Sequence, residues 1–202
     1  MTSPSALLSA AAGVVLAGGR SSRFGEDKAY AEFRGVSLLN HAIGALSALR
    51  AVAVSAKPDS TVARRARALG LPVIFDDVDA PDGPLSGVLA ALAWAEAQDF
   101  RFLVIAPCDA PLLPTTLVQR LLAGCAEAPA AYATTLRGPQ PLCAAWNVST
   151  RPLLARALDC GRHPGARQFL TQIGAKAVQF DDPMAFTNVN TRADLAALER
   201  QP

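Results

Sequence analysis

The run Val14-Val15-Leu16, broken at once by Ala17-Gly18-Gly19, constrains this chain more than any other stretch. A short β-branched and aliphatic run of this kind suits a strand buried on both faces of a parallel sheet. The glycine pair that ends it lacks Cβ atoms, so the backbone there can take positive φ and present consecutive N–H groups to an anion. Arg20, Arg23 and Lys28 then place three cations within nine positions, against Glu26 and Asp27 as the only counter-charges. Backbone donors and clustered cations together suit a polyphosphate better than a neutral ligand. The spacing fits neither G-x-G-x-x-G nor G-x-x-x-x-G-K-[ST], which excludes two familiar phosphate loops.

The rest of the chain repeats the same cadence. The spacing predicts a helix over Leu38 to Leu49, a strand over Val52 to Ala56, and a helix from an N-cap at Ser60 to Leu69, closed by Gly70. A strand at Val73 to Phe75 follows, then a helix opened by Gly83-Pro84, and the most hydrophobic strand, Phe102 to Ala106. Thr115 or Thr116 is expected to cap a helix to Leu122. Strands at Ala131 to Thr135 and Leu142 to Trp146 flank a turn at Arg137-Gly138-Pro139. Helices at Arg151 to Leu158 and near Gln168 to Ile173, a strand at Ala177 to Phe180, and a last helix capped by Thr191 complete the pattern. Alternation of this kind predicts an α/β fold of three layers, a mostly parallel Rossmann-like sheet with helices on both faces. At 202 residues, 51% hydrophobic and 18% charged, the chain is expected to form a single domain spanning residues 1–202, with residues 1–12 as a flexible N-terminal tail.

Composition excludes several classes of function. A net charge of +2 without a Lys/Arg-rich run argues against polymeric nucleic acid as a partner. No segment reaches the roughly 18 apolar residues of a membrane span. The apolar start has no Lys or Arg before Arg20 and leads directly into the glycine loop, which argues against a cleaved signal and for a cytoplasmic enzyme. Cys108, Cys125, Cys143 and Cys160 are at least 17 positions apart, a spacing that offers no zinc pair and reads as buried thiols.

In open α/β sheets, ligands bind beyond the carboxyl ends of the strands, where strand order reverses. Gly18 and Gly19, Ser55 to Lys57, Asp76 and Asp77, and Asp109 each follow a predicted strand, so all are expected at one edge. Asp109, set between Pro107 and Pro111 after the most apolar strand, suits Mg²⁺, which takes one or two carboxylates plus substrate phosphates; the alternative is a carboxylate that caps a turn. Asp76 or Asp77 could accept the paired N–H groups of guanine, or belong to an exposed acidic loop with Asp79 and Asp82. His41 reads as a helix-face residue and His163 as a loop residue.

Leu16-Ala-Gly-Gly, Arg23, Asp27-Lys28, Gly83-Pro-Leu-Ser-Gly, Pro107-Cys-Asp-Ala-Pro, Gln140-Pro-Leu and Asn188-Val-Asn-Thr, in this order, resemble the molybdenum cofactor guanylyltransferase family. The resemblance runs from about Gly13 to Glu199. It implies transfer of GMP from Mg-GTP to the terminal phosphate of molybdopterin or its molybdenum-loaded form, with release of pyrophosphate, and pathway proteins as partners. Position by position, it implies nucleotide contacts at Leu16, Ala17, Gly18, Gly19 and Ser55, and a phosphate contact at Lys28. It further implies a guanine contact at Asp76, a magnesium ligand at Asp109, and pterin-side roles for Gln140, Asn188 and Asn190, with Asn190 alternatively approaching the metal. Ser55 departs from the family, which commonly has asparagine there.

Arg23, Lys28 and Asp109 are the expected catalytic set. A phosphate nucleophile is already anionic at neutral pH, so positioning and charge stabilisation can carry the reaction without a general base. Competing readings are the cytidylyltransferase acting on the same pterin, a sugar-phosphate nucleotidyltransferase, and a non-catalytic GTP-binding chaperone of cofactor delivery. Arg162 and Arg167 are candidates for the acceptor's phosphate or are simply solvated.

Overall fold

The computed structural model describes residues 3–18, 28–75, 83–159 and 164–200. In chain order the elements are α1 (Pro4–Ser9), β1 (Ala11–Leu16), a 3₁₀ turn (Lys28–Tyr30), β2 (Glu32–Phe33), β3 (Val36–Ser37), α2 (Leu38–Ala45), β4 (Val52–Ser55) and α3 (Thr61–Ala68). Next come β5 (Val73–Ile74), α4 (Pro84–Ala97), β6 (Phe102–Pro107), α5 (Leu117–Cys125), β7 (Ala130–Thr135) and β8 (Gly138–Asn147). A second 3₁₀ turn (Val148–Thr150), α6 (Arg151–Asp159), α7 (Ala166–Gln172), β9 (Lys176–Gln179) and α8 (Arg192–Glu199) complete the chain.

Among the described residues, seven strands form one sheet in the order β5-β4-β1-β6-β8-β7-β9, and β2 and β3 form a separate hairpin. The β5-β4-β1-β6 half is parallel throughout. β8 runs antiparallel to both its neighbours, and β9 pairs parallel to β7. The chain leaves β1 for β4 and β5 on one side, then crosses to β6 on the other. Strand order therefore reverses between β1 and β6, where Leu16 sits opposite Pro107.

Strands at the centre are buried on both faces, and their alternate residues feed two cores. Ala11, Val15, Phe102, Val104 and Ala106 face one core with side chains of α1, α2, α3 and α5. Ala12, Val14, Leu103 and Ile105 face the other with α4, α6 and α7. α4 is apolar nearly all round and buries Leu85, Val88, Ala91, Leu92 and Ala95, as a helix covering the middle of a sheet must. Its start is fixed by Gly83, whose φ of +148° excludes other residues from the turn before Pro84. A third, smaller cluster of Phe33, Leu38, Val189 and Leu198 ties the β2–β3 hairpin to the chain before α8.

Three expectations need correction. Residues 1–12 are not a flexible tail through their described part: Ser3 caps α1, its Oγ accepting from Ala6 N–H at 3.3 Å, and Ala11 and Ala12 are fully buried in β1. A Ser-Pro opening before Ala-Leu-Leu is a helix start, and even two turns suffice when Leu7 packs into the core. The helix from Leu38 ends at Ala45 rather than Leu49, because Leu46 and Leu49 turn back over β1 at the bare Cα of Gly13. Thr116 occupies the N-cap of α5 in a helical conformation and makes no side-chain cap bond there. By contrast Ser60 caps α3 and Thr191 caps α8 as the spacing indicates.

Gly124 lets α5 lie directly on the sheet: a Cβ there would come within 2.9 Å of both Ala131 Cβ and Val178 Cγ2. Gly124→Val is accordingly expected to lower unfolding free energy by about 1–3 kcal/mol through overpacking, measured as a shift in denaturant midpoint at constant slope.

Candidate active site

The carboxyl ends of β1, β4 and β6 deliver Leu16, Ser55 and Pro107 side by side to one edge of the sheet. Beyond them the backbone stays knitted together. Ala17 N–H donates to Ser55 C=O at 2.9 Å, and Cys108 N–H donates to Leu16 C=O at 3.1 Å. These bonds carry sheet order one residue past each strand, so Gly18 and Asp109 leave the sheet from fixed positions. Ser55 is itself buried. The shorter side chain at this place thus faces protein more than solvent.

Lys28 comes to the same edge from the far end of the glycine loop. Its 3₁₀ turn is anchored by the buried side chain of Ala29 and by Tyr30, whose hydroxyl donates to Thr61 C=O at 2.6 Å. From there Lys28 Nζ donates to Asp109 Oδ2 at 2.8 Å and to Asn190 Oδ1 at 2.9 Å. The side chains of the Lys28–Asp109 pair are only 12% and 24% exposed, so water screens the two charges weakly.

Asn190 is held in turn by the chain around it. Val189, fully buried in the small third cluster, donates its N–H to Asp109 C=O at 2.8 Å. Asp194 Oδ2 accepts from the N–H groups of Asn190 and Thr191 at 2.9 and 2.8 Å, and Thr191 Oγ1 accepts from Asp194 N–H at 3.1 Å, a reciprocal capping box at the start of α8. The bond from Asn190 N–H, then those from Thr191 and the nearby Lys28 charge, hold the Asp194 carboxyl below its ordinary value of 3.8 despite some desolvation. The sequence signals Thr191 as a cap; Asp194 follows it at the spacing of a capping box and escapes a reading that looks for Glu or Gln there.

Of the residues singled out from sequence, the structure brings together Leu16, Ala17, Gly18, Lys28, Ser55, Asp109 and Asn190. Gly19, Arg23, Asp76 and Asp77 lie outside the described residues, as do Arg162 and His163. Gln140 stands in β8 opposite Ala133. Because β8 runs antiparallel, its first residues return to the edge where β1 and β6 end, which places Gln140 on the side of the sheet that holds Asp109. Asn188 is exposed just ahead of the buried Val189. Arg167 is exposed on α7, beside a shallow depression that includes none of Lys28, Asp109 and Asn190. His41 lies against the Phe33 ring and bonds through Nε2 to Phe33 C=O, a structural place.

Asp109 offers a metal two hard oxygen atoms. No group of three or more His, Cys, Asp or Glu side chains is clustered for a metal among the described residues. A site with one carboxylate fits a magnesium-like cation that completes its shell with substrate phosphates, and does not fit a protein-only cage. Cys125 and Cys143 are buried, as expected of the cysteines, whereas Cys108 is half-buried; Cys160 lies outside the described residues. Burial raises the Cys125 thiol to about 12, and burial together with the Asp109 charge drives Cys143 higher still.

A glycine-ended strand and a lysine–carboxylate pair meet at the point of strand reversal, an arrangement suited to the phosphates of a nucleotide. Residues 13–178 match the family model of the MobA-like NTP transferase domain, and the chain belongs to that family. It is 41% identical over 189 residues to the molybdenum cofactor guanylyltransferase of Acidiphilium cryptum, with 92% of each chain covered. In fold it is similar to molybdopterin-guanine dinucleotide biosynthesis protein A of Archaeoglobus fulgidus, with a TM-score of 0.73, 22% identity, and coverage of 93% of this chain and 96% of that one. It is also similar to a Mycobacterium tuberculosis protein in complex with manganese, with a TM-score of 0.67, 18% identity, and coverage of 95% and 99%.

The thiols supply a direct check on the packing beneath the site. In the native protein at pH 8, Cys125 and Cys143 are expected to resist a thiol-specific reagent and to react only on unfolding, measured by labelling followed by peptide mass analysis.

Proposed function

We propose that this chain transfers GMP from GTP to the terminal phosphate of molybdopterin, or of its molybdenum-loaded form, and releases pyrophosphate. Lys28 Nζ, fixed between Asp109 Oδ2 and Asn190 Oδ1 at the strand-reversal point, is the observation that carries this reading. An acceptor phosphate oxygen attacks the α-phosphorus of GTP, a new P–O bond forms, and the bond to the bridging oxygen of pyrophosphate breaks. Electrons of that bond leave with pyrophosphate, and no proton need be removed from the nucleophile.

Gly18, with Gly19, offers backbone donors to the nucleotide phosphates. Lys28 and Arg23 meet the charge on the transferring and leaving groups, a preorganised positive field where negative charge is redistributed. Asp109 would hold Mg²⁺, which supplies charge neutralisation of the pyrophosphate leaving group when bound. Leu16, Ala17 and Ser55 contact the nucleotide, and Asp76 reads the guanine edge. Gln140, Asn188 and Asn190 serve the pterin side. The relatives named guanylyltransferases support GMP transfer over the cytidylyl and sugar-phosphate alternatives. The reaction belongs to a single nucleotidyltransferase domain in the cytoplasm, in contact with proteins that supply or receive the cofactor.

Pyrophosphate release measured with GTP, CTP or ATP, Mg²⁺ and purified molybdopterin is expected with GTP alone and only when the pterin is present. Release with CTP would move the chain to the sister activity, and release only with a sugar phosphate would discard the pterin acceptor. Asp109→Ala is expected to lower turnover by about a hundredfold or more while circular dichroism stays unchanged; full activity would remove Asp109 from the reaction. Asp76→Asn is expected to erode the ratio of GTP to CTP turnover, and an unaltered ratio would assign guanine selection elsewhere.

A further inference from the structure

Asp194 makes one hydrogen bond more than its helix requires. A capping box needs the third helical residue to reach back to the N–H of the N-cap, here Thr191, and Asp194 Oδ2 does so at 2.8 Å. The same oxygen also accepts from Asn190 N–H at 2.9 Å. That N–H precedes the helix and is not one of its orphan donors. Asn190 is exposed, so water could satisfy it equally well. What the second bond accomplishes is to fix the backbone from which the Asn190 carboxamide projects onto Lys28 Nζ.

On the proposed transfer reaction, we infer that Asp194 is a positioning residue: it holds Asn190, and through Asn190 it holds the Lys28 ammonium in the position from which it meets the transferring phosphate. The lysine side chain has four rotatable carbon linkages and needs two fixed acceptors to define one position. Asp109 supplies the first from the end of β6. Asn190 supplies the second, and its own anchors are Val189, bonded to Asp109 C=O, and Asp194. Without Asp194 the Val189 anchor alone holds the chain at Asn190, the carboxamide is less firmly placed, and Lys28 shifts toward Asp109. An ammonium displaced by about 1 Å from its working position costs up to about a hundredfold in rate.

The test compares Asp194→Ala with two references in the full chain: Asp194→Glu, which restores a capping carboxylate, and Ala197→Gly, which weakens α8 from an exposed position away from its cap. Asp194→Ala and Ala197→Gly are each expected to lower Tm by about 2–4 °C. Asp194→Ala is further expected to lower kcat for pyrophosphate release from Mg-GTP and molybdopterin by about tenfold to a hundredfold, with KM for GTP within about threefold of the wild type. Asp194→Glu is expected to recover most of that rate, and Ala197→Gly to keep it. Wild-type kcat in Asp194→Ala, with its Tm lowered as in Ala197→Gly, would reduce Asp194 to a helix cap and overturn the inference. If Asp194→Ala does not fold, Asp194→Ser carries the same comparison, and wild-type kcat there overturns the inference equally. Absence of pyrophosphate release from the wild type itself defeats the GMP-transfer reading, and this inference with it; wild-type turnover with unaffected Asp194 variants defeats the inference alone.

Discussion

One ammonium group joins three segments that are remote in sequence. Lys28 bonds to Asp109, 81 residues away, and to Asn190, 162 residues away, and much of the fold can be read as the means of bringing these together. β1 and β6 must be neighbours although four strands, two of them in the main sheet, and three helices separate them in the chain, and this is what the crossover from β5 through α4 achieves. The chain before α8 must return to the same edge, which Val189 secures by burying its side chain and bonding to Asp109 at once. Apolar burial and the site's geometry are therefore not separate accounts. The small cluster of Phe33, Leu38, Val189 and Leu198 stabilises the fold and aims Asn190 by the same contacts.

The parallel half was legible in sequence because burial on both faces leaves a strong mark. Val14 to Leu16 and Phe102 to Ala106 are continuous apolar runs, followed by Ala17-Gly18-Gly19 and by Pro107-Cys108-Asp109, and a rule about strand ends is enough to put Gly18 and Asp109 on one edge. The first twelve residues were not legible as structure, since a six-residue helix carries too little periodicity to be seen and owes its existence to Leu7 reaching the core. The Lys28–Asp109–Asn190 contact escaped for a different reason. Each residue could be singled out by its neighbours, but their union is a long-range contact made by tertiary packing, and no local spacing encodes it.

The mixed half of the sheet shows how topology does chemical work without a motif. A fifth consecutive parallel strand in the place of β8 would leave its beginning at the edge opposite Asp109. β8 runs against β6 instead, so Gln140 near its start is carried to the edge where β6 ends. Residues from the second half of the chain thereby reach the edge that carries Lys28 and Asp109 while the first half keeps its uninterrupted parallel core.

The electrostatic arrangement is better understood as preorganisation than as a source of stability. A partly buried ion pair recovers little net free energy, because the desolvation of both charges offsets their attraction. Lys28 and Asp109 nevertheless stand just beyond the strand ends with most of their side-chain surface withdrawn from water. What the pair achieves is order before any ligand arrives: a cation already seated between two oxygen acceptors need not be reorganised when charge develops beside it. With an anionic nucleophile the difficulty is to bring two highly charged phosphates together, and the remedy is a fixed positive charge rather than a proton acceptor.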